Sequence, residues 1–191
     1  MQQINENLLV LNVGDPFDDS YAGFLKIFLS GSTDLSGIAK TDWQTKVINA
    51  FTRLTDPYNG DPRFNRMKFI LMNPKIPIKN PTMDLSNQEF VSKVQWELEM
   101  MDRADGIFCN FLKRSQSPAA IYGFLLNNNT GKTVVRCPME YQNYAYINMV
   151  CIQRGIPLLG DSGTVVDVLN KFFEVIPKFQ EVANYGLWVR M

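Results

Sequence analysis

Five short, almost uninterrupted apolar runs punctuate the chain: Leu25-Lys26-Ile27-Phe28-Leu29, Lys68-Phe69-Ile70-Leu71-Met72, and residues 106–112, 133–137 and 156–159. Runs of this length, stopped by small or turn-forming residues, read as strands buried on both faces. Between them the apolar positions change to helical spacing. Trp43, Val47, Ile48, Phe51 and Leu54 share one face, and Phe90, Val94, Leu98 and Met101 share another. Residues 118–128 and 144–153 follow the same pattern, and a last helix over 165–176 aligns Val168, Leu169, Phe172, Phe173 and Ile176.

Local signals sharpen the boundaries. Ser86 and Glu89 have the spacing of a capping box for the helix that runs to about Ala104, Pro118 suits a first helical turn, and Gly155 closes the helix before it. Residues 56–62 form a turn-rich connection, and residues 75–85, rich in Pro and Asn, read as a loop. Strand and helix thus alternate five times. The expected class is α/β, a three-layer doubly wound (flavodoxin/Rossmann-like) fold with a five-stranded parallel sheet. Residues 1–24, with the short run Leu8-Leu9-Val10-Leu11, read as an N-terminal extra strand or arm, and residues 25–191 as a single domain.

Composition narrows the chemistry. The chain has 191 residues, 46% of them hydrophobic, with 19 basic against 19 acidic side chains and no histidine. The absence of histidine excludes Ser-His-Asp and Cys-His nucleophile pairs and any His-containing zinc site. Zero net charge lacks the footprint of a protein that grips polymeric nucleic acid through its phosphates, so no polymeric DNA or RNA partner is expected. Cys109, Cys137 and Cys151 are widely spaced in apolar runs, which fits reduced structural thiols rather than a disulfide or metal framework. The first residues lack a basic leader pattern and there is no apolar run of about 18 residues, so a cytoplasmic protein with no membrane partner is expected.

Doubly wound sheets bind ligands outside the carboxyl ends of their strands. That rule selects residues 30–34, 73–75, 113–117, 138–144 and 160–162. Ser117-Pro118 would set a helix N-terminus there, suited to a phosphate or carboxylate, although the same pair also starts an ordinary capped helix. Ser30 and Gly31 let a ligand approach the backbone, while neither GxGxxG nor a Walker A sequence is present. Glu97 borders the apolar stripe beside Trp96, as a carboxylate of raised pKa, a binder of sugar hydroxyls, or a plain surface charge. Tyr141, Tyr144 and Tyr146 offer either an aromatic wall for a base or core packing.

Taken in order, Ile27 to Ser32, Trp43-Gln44, Met72-Asn73-Pro74, Phe90 with Val94 to Glu97, Ala104 to Ile107, Ser117-Pro118, Gly131 to Val135, Cys137-Pro138, Val150-Cys151 and Gly155 to Pro157 resemble the nucleoside 2-deoxyribosyltransferase-like family, including its relatives that hydrolyse deoxynucleotide N-glycosidic bonds. The resemblance spans about residues 25–173. It implies a flavodoxin-like fold, a homo-oligomer whose site borrows residues from a neighbouring subunit, and a small-molecule nucleoside or nucleotide as ligand. It also implies transfer or cleavage at the bond between deoxyribose and base, with no metal or organic cofactor. A glutamate attacks the anomeric carbon in that chemistry.

The resemblance breaks at that glutamate. Ungapped alignment sets Gly123 at its position and Leu125 at a following glycine, and a register shifted by two sets Ile121 there. Tyr146 occupies the place of an asparagine that serves the adjoining subunit. Glu97 is the retained acidic residue and the candidate catalytic group, with Ser30, Gly31, Trp43, Asn73, Ser117, Gly123 and Tyr146 as candidate substrate-binding residues. Gly123 is expected to widen the pocket. Three readings stand: an N-glycosidic transferase or hydrolase, a catalytically inactive nucleotide-binding protein that sequesters, senses or regulates, and an interaction protein using Tyr185, Trp188 and residues 8–11.

Overall fold

The structure is a computed structural model that describes residues 1–18, 21–32, 42–75, 84–115 and 117–188. Its elements in chain order are β1 (Gln2–Asn5), β2 (Leu8–Asn12), β3 (Leu25–Gly31), α1 (Trp43–Leu54), β4 (Phe69–Asn73), α2 (Gln88–Arg103), β5 (Gly106–Asn110), α3 (Pro118–Asn127), β6 (Thr133–Arg136), α4 (Tyr144–Arg154), β7 (Leu158–Leu159), α5 (Val165–Val175) and α6 (Pro177–Trp188). The strands form one sheet ordered β1-β2-β4-β3-β5-β6-β7. β1 is antiparallel to β2, and the pairings of β2 with β4, β3 with β4, β5 with β6 and β6 with β7 are parallel. This is the doubly wound α/β class that the alternation of periods predicts.

Seven strands stand where five and an N-terminal extra strand or arm are expected; the extra strand is β2, and β1 adds one more. Residues 8–11 are buried throughout, and β2 lies parallel to β4 with Leu8 opposite Phe69 and Leu11 opposite Met72. The polar β1 escapes an apolar pattern because it is a largely exposed edge strand. A sixth helix was also invisible to the pattern. Pro177 reads as a stop after α5, yet it opens α6, where a missing N–H costs nothing. The expected loop over 75–85 lies almost entirely outside the described residues, as do the side chains of Tyr185 and Trp188.

Two compact units can be distinguished, Met1–Phe28 with Gln44–Ala104, and Leu29–Trp43 with Asp105–Met191. β3 contributes its first four residues to one and its last three to the other. In the first unit Phe51 and Phe69 meet edge to face at 5.4 Å. Asn7 secures the turn-rich connection by donating through Nδ2 to Thr55 O (3.1 Å) and Asn65 O (2.6 Å). Trp96 packs against Phe28 at 6.4 Å and donates its indole N–H to Asp15 O at 3.3 Å.

Helix α2 corrects two details. Asn87, not Ser86, is its N-cap, accepting from Glu89 N–H and Phe90 N–H through Oδ1. Ser86 instead hydrogen-bonds Asp84, so the predicted capping box does not form. The buried face is Trp96, Met100 and Met101, and Leu98 is exposed. Trp96, rather than Leu98, takes the buried stripe of the helix.

In the second unit Phe111 lies 4.8 Å from Tyr141 and 6.1 Å from Phe124, while Phe172 and Phe179 lie 5.1 Å apart and join α5 to α6. Thr164 and Asp167 form a full capping box at the start of α5. The three cysteines are free and buried. Burial pushes the Cys109 and Cys137 thiols up to about 12 and the Cys151 thiol up to about 11, far from a nucleophilic thiolate at neutral pH.

Candidate functional site

The carboxyl end of β3 is built by close backbone approach. Gly31 has φ +149°, and a Cβ there would stand 2.2 Å from Asn110 O, so this position accepts glycine alone. That approach lets Ser32 N–H donate to Asn110 O at 2.9 Å. Ser32 Oγ accepts from Leu112 N–H (3.2 Å) and from the Ser115 hydroxyl (2.8 Å), and Ser32 O accepts from the Trp43 indole N–H at 2.9 Å. Trp43 is buried edge-on to Phe108 at 5.9 Å. Its part is to hold the strand end, and its ring is committed to packing.

Ser117 caps α3 in extended backbone without a side-chain cap bond, and Pro118 takes the first helical position. Ser117, Pro118, Ile121, Tyr122, Gln142 and Asn143 line a cleft of about 270 Å³ at this helix start. The cleft lies at the carboxyl side of β5 and β6, where the rule for doubly wound sheets places a ligand. The positive end of α3 and the amide groups of Gln142 and Asn143 suit an anionic or hydrogen-bonding ligand, and the Tyr122 ring suits a planar one. Nearby in sequence, the buried Tyr141 hydroxyl lacks a hydrogen-bond partner; Asn143 is close enough to act on it without meeting hydrogen-bond geometry. Burial raises this phenol above its ordinary range.

Gly123 sits on the buried face of α3. A Cβ at this position would come within 2.9 Å of Ser30 Oγ. The Ser30 hydroxyl is the group that meets this position, so a side chain at 123 requires Ser30 to turn aside. Ser30 is buried and close enough to the Cys109 thiol to oppose part of the upward shift that burial gives it.

Each remaining candidate lies within its own unit. Asn73 and Glu97 belong to the first unit. Asn73 donates through Nδ2 to Asn12 Oδ1 at 3.1 Å and accepts from Lys75 N–H at 3.2 Å, so it braces the end of β4. Glu97 pairs with Lys93 one turn earlier on α2. Tyr146 points to solvent from α4 and is absent from the cleft lining, and Tyr141 is core. The aromatic wall suggested by the three tyrosines does not form.

A charged cluster at the ends of β5 and β6 was missed. Arg136 donates through Nη1 to Asn110 Oδ1 (3.0 Å) and through Nη2 to Asp161 O (2.6 Å). Lys113 pairs with Asp161 at 2.8 Å and Glu140 at 3.1 Å, and holds both carboxyls below their ordinary range. Its sequence signal was the polar residue that ends each of two apolar strands, Asn110 and Arg136, which prove to be register partners. A larger cavity of about 470 Å³, including Asn128, Gly131, Gln153 and Arg154 in its lining, lies at the opposite, amino end of β6 and β7. No group of three or more His, Cys, Asp or Glu among the described residues is arranged to hold a metal ion. No helix among them is long and apolar enough to cross a membrane.

A mostly parallel doubly wound sheet flanked by helices, with a polar cleft at a helix start outside its strand ends, defines the class: an α/β protein of flavodoxin-like architecture. The chain matches the nucleoside 2-deoxyribosyltransferase like family over residues 25–141, well over half its length, and belongs to that family. No curated protein matches it significantly.

Proposed function

We propose that this protein binds a deoxynucleoside or deoxynucleotide in the cleft at the start of α3 without cleaving its N-glycosidic bond. The observation that carries this reading is Gly123. In the ungapped register of the resemblance Gly123 stands where the nucleophile is expected, the shifted register puts Ile121 there, and neither supplies a carboxylate; a Cβ at 123 would meet Ser30 Oγ at 2.9 Å. In the chemistry that the resemblance implies a glutamate attacks the anomeric carbon, and losing a nucleophile costs orders of magnitude in rate. Glu97 is held by Lys93 on its own helix, so the retained acidic residue has a structural occupation.

The binding half of the reading rests on the cleft. Ser117, the first turn of α3, Gln142 and Asn143 supply polar partners for a phosphate or sugar hydroxyls, and Tyr122 supplies an apolar face for the base. The expected ligand is a monomeric nucleoside or nucleotide, for sequestering, sensing or regulation.

Thermal-shift titration with deoxynucleosides and their monophosphates, coupled to chromatographic detection of free base, tests both halves. A saturable shift with no base release is the expected result, and Ser117→Ala with Asn143→Ala should abolish the shift. Base release that disappears in Glu97→Gln would overturn the reading in favour of an active glycosidase. No shift with any of these ligands would overturn the binding assignment.

A further inference from the structure

Polar atoms shut away from water and left unpaired are scarce in folded proteins, and each calls for a reason. Among the described residues two side-chain atoms stand in that position, Arg136 Nε and the Tyr141 hydroxyl. Arg136 is bonded through its other nitrogens to Asn110 and Asp161, so most of its donors are used. The Tyr141 side chain has a single polar atom, and that atom is the unpaired one.

The surroundings of the ring explain its burial and leave the hydroxyl unexplained. Tyr141 is 2% exposed, with its ring 4.8 Å from that of Phe111, which meets Phe124 edge to face. A phenylalanine would fill the same space without stripping a donor of water. The hydroxyl is therefore a cost to the ligand-free fold. Its neighbours suggest what offsets that cost. Tyr141 directly precedes Gln142 and Asn143, which line the cleft at the start of α3, and its hydroxyl lies close to the Asn143 side chain, short of hydrogen-bond geometry. Turn bonds from Tyr141 N–H to Pro138 O and from Tyr144 N–H to Tyr141 O, both 3.0 Å, fix the backbone on either side. The movable part of the pair is the Asn143 side chain.

That side chain has no other duty. Asn143 is the N-cap of α4, where asparagine ordinarily accepts from the N–H groups of the first turn, yet it makes no such bond. Ser117, the N-cap of α3, makes none to its own helix either. Two helix N-caps thus line one cleft with neither side chain spent on capping. A hydrogen bond that is misaligned in a ligand-free site commonly tightens when the ligand arrives.

We propose that Tyr141 is a positioning residue for this cleft: its hydroxyl donates to Asn143 Oδ1 when the amide turns to the ligand, and so holds Nδ2 as the group presented. The ligand atom that Nδ2 meets is then a hydrogen-bond acceptor, such as a phosphate oxygen or a base carbonyl. This inference rests on the binding assigned to the cleft above.

Isothermal titration calorimetry with the deoxynucleoside monophosphates on wild type, Tyr141→Phe, Asn143→Ala and the double variant tests it, with ligand-free thermal melts alongside. Tyr141→Phe should melt at or above the wild-type temperature and yet bind roughly 3- to 10-fold more weakly, the effect of one hydrogen bond. In the Asn143→Ala background the same substitution should change affinity by less than about 2-fold. The Asn143 side-chain amide resonances should move on ligand addition in wild type and move less in Tyr141→Phe. Unchanged affinity in Tyr141→Phe overturns the proposal and leaves the binding assignment standing, as does a loss that persists in full without the Asn143 side chain, or an equal resonance shift in both proteins. A ligand-free Tyr141→Phe protein that melts clearly below wild type would show a hydroxyl already paired, and overturns it as well. A wild type that binds none of these monophosphates overturns this proposal together with the nucleotide binding on which it rests.

Discussion

Replacing Gly123 by glutamate distinguishes a closed position from an open one. A Cβ at 123 meets Ser30 Oγ at 2.9 Å. Gly123→Ala gains about 1 kcal/mol of helix propensity and loses about 1–3 kcal/mol to overpacking, for a net loss of roughly 0–2 kcal/mol. Gly123→Glu adds a carboxylate to a buried helix face, which costs several kcal/mol more. The expected loss is about 3 kcal/mol or greater, a fall of roughly 6–12 °C in Tm for a chain of this size. Ser30→Ala removes the obstructing atom, so the Gly123→Ala/Ser30→Ala pair should be coupled by about 0.5–2 kcal/mol in a double-mutant cycle. Urea denaturation measures each value, and the base-release assay accompanies it. A Gly123→Glu protein within about 0.5 kcal/mol of wild type would refute the close packing and restore an open pocket. Base release by that variant would mean that the original chemistry needs only its carboxylate back.

Other consequences are local. Asn87→Ala should cost about 1 kcal/mol through loss of the α2 cap, whereas Ser86→Ala should leave the urea midpoint nearly unchanged; equal effects would return the cap to Ser86. The Asp161 carboxyl is held below its ordinary value of 3.8 chiefly by Lys113. The stabilisation from this depressed pKa is therefore full above about 3.8 and is lost as pH falls through the folded value. Urea midpoints measured across the acid range should fall less steeply in Asp161→Asn than in wild type, and identical slopes would contradict the pairing. The three thiols, raised to between about 11 and about 12, should resist a thiol reagent at pH 8 in the native state and react fully in denaturant; rapid native labelling would contradict their burial.

Most of the architecture was readable in the chain because its strands are buried on both faces. A strand such as residues 25–29 or 133–137 must then be apolar almost throughout, which distinguishes it from the helices between. β1 and α6 escaped for opposite reasons: β1 is an edge with no apolar demand, and α6 begins on the residue that usually ends a helix. Leu98 shows a further limit. Its spacing fits the apolar stripe of α2, but Trp96 takes the buried stripe in its place.

The candidate site was legible only in part. Gly31 announced a close approach, and Ser117-Pro118 a helix start, because these are local backbone requirements. That Trp43 would brace Ser32, that Asn73 would brace Asn12, and that Arg136 would reach Asn110 depended on partners 11 to 61 residues away. Residue identity states what a side chain can do, and distant partners decide which of its options is used.

The amino-acid sequence by itself determined the class of fold, the family and the absence of histidine chemistry, since periodicity, motif order and composition are properties of the chain. Tertiary structure decided the meaning of Gly123. A missing side chain leaves either a cavity or a closer contact, and which one results depends on whether the facing backbone can move in. Here the Ser30 hydroxyl at the end of β3 stands 2.9 Å from where a Cβ of residue 123 would lie, so the room that a glycine suggests is shared with one side chain that no reading of the chain alone places there.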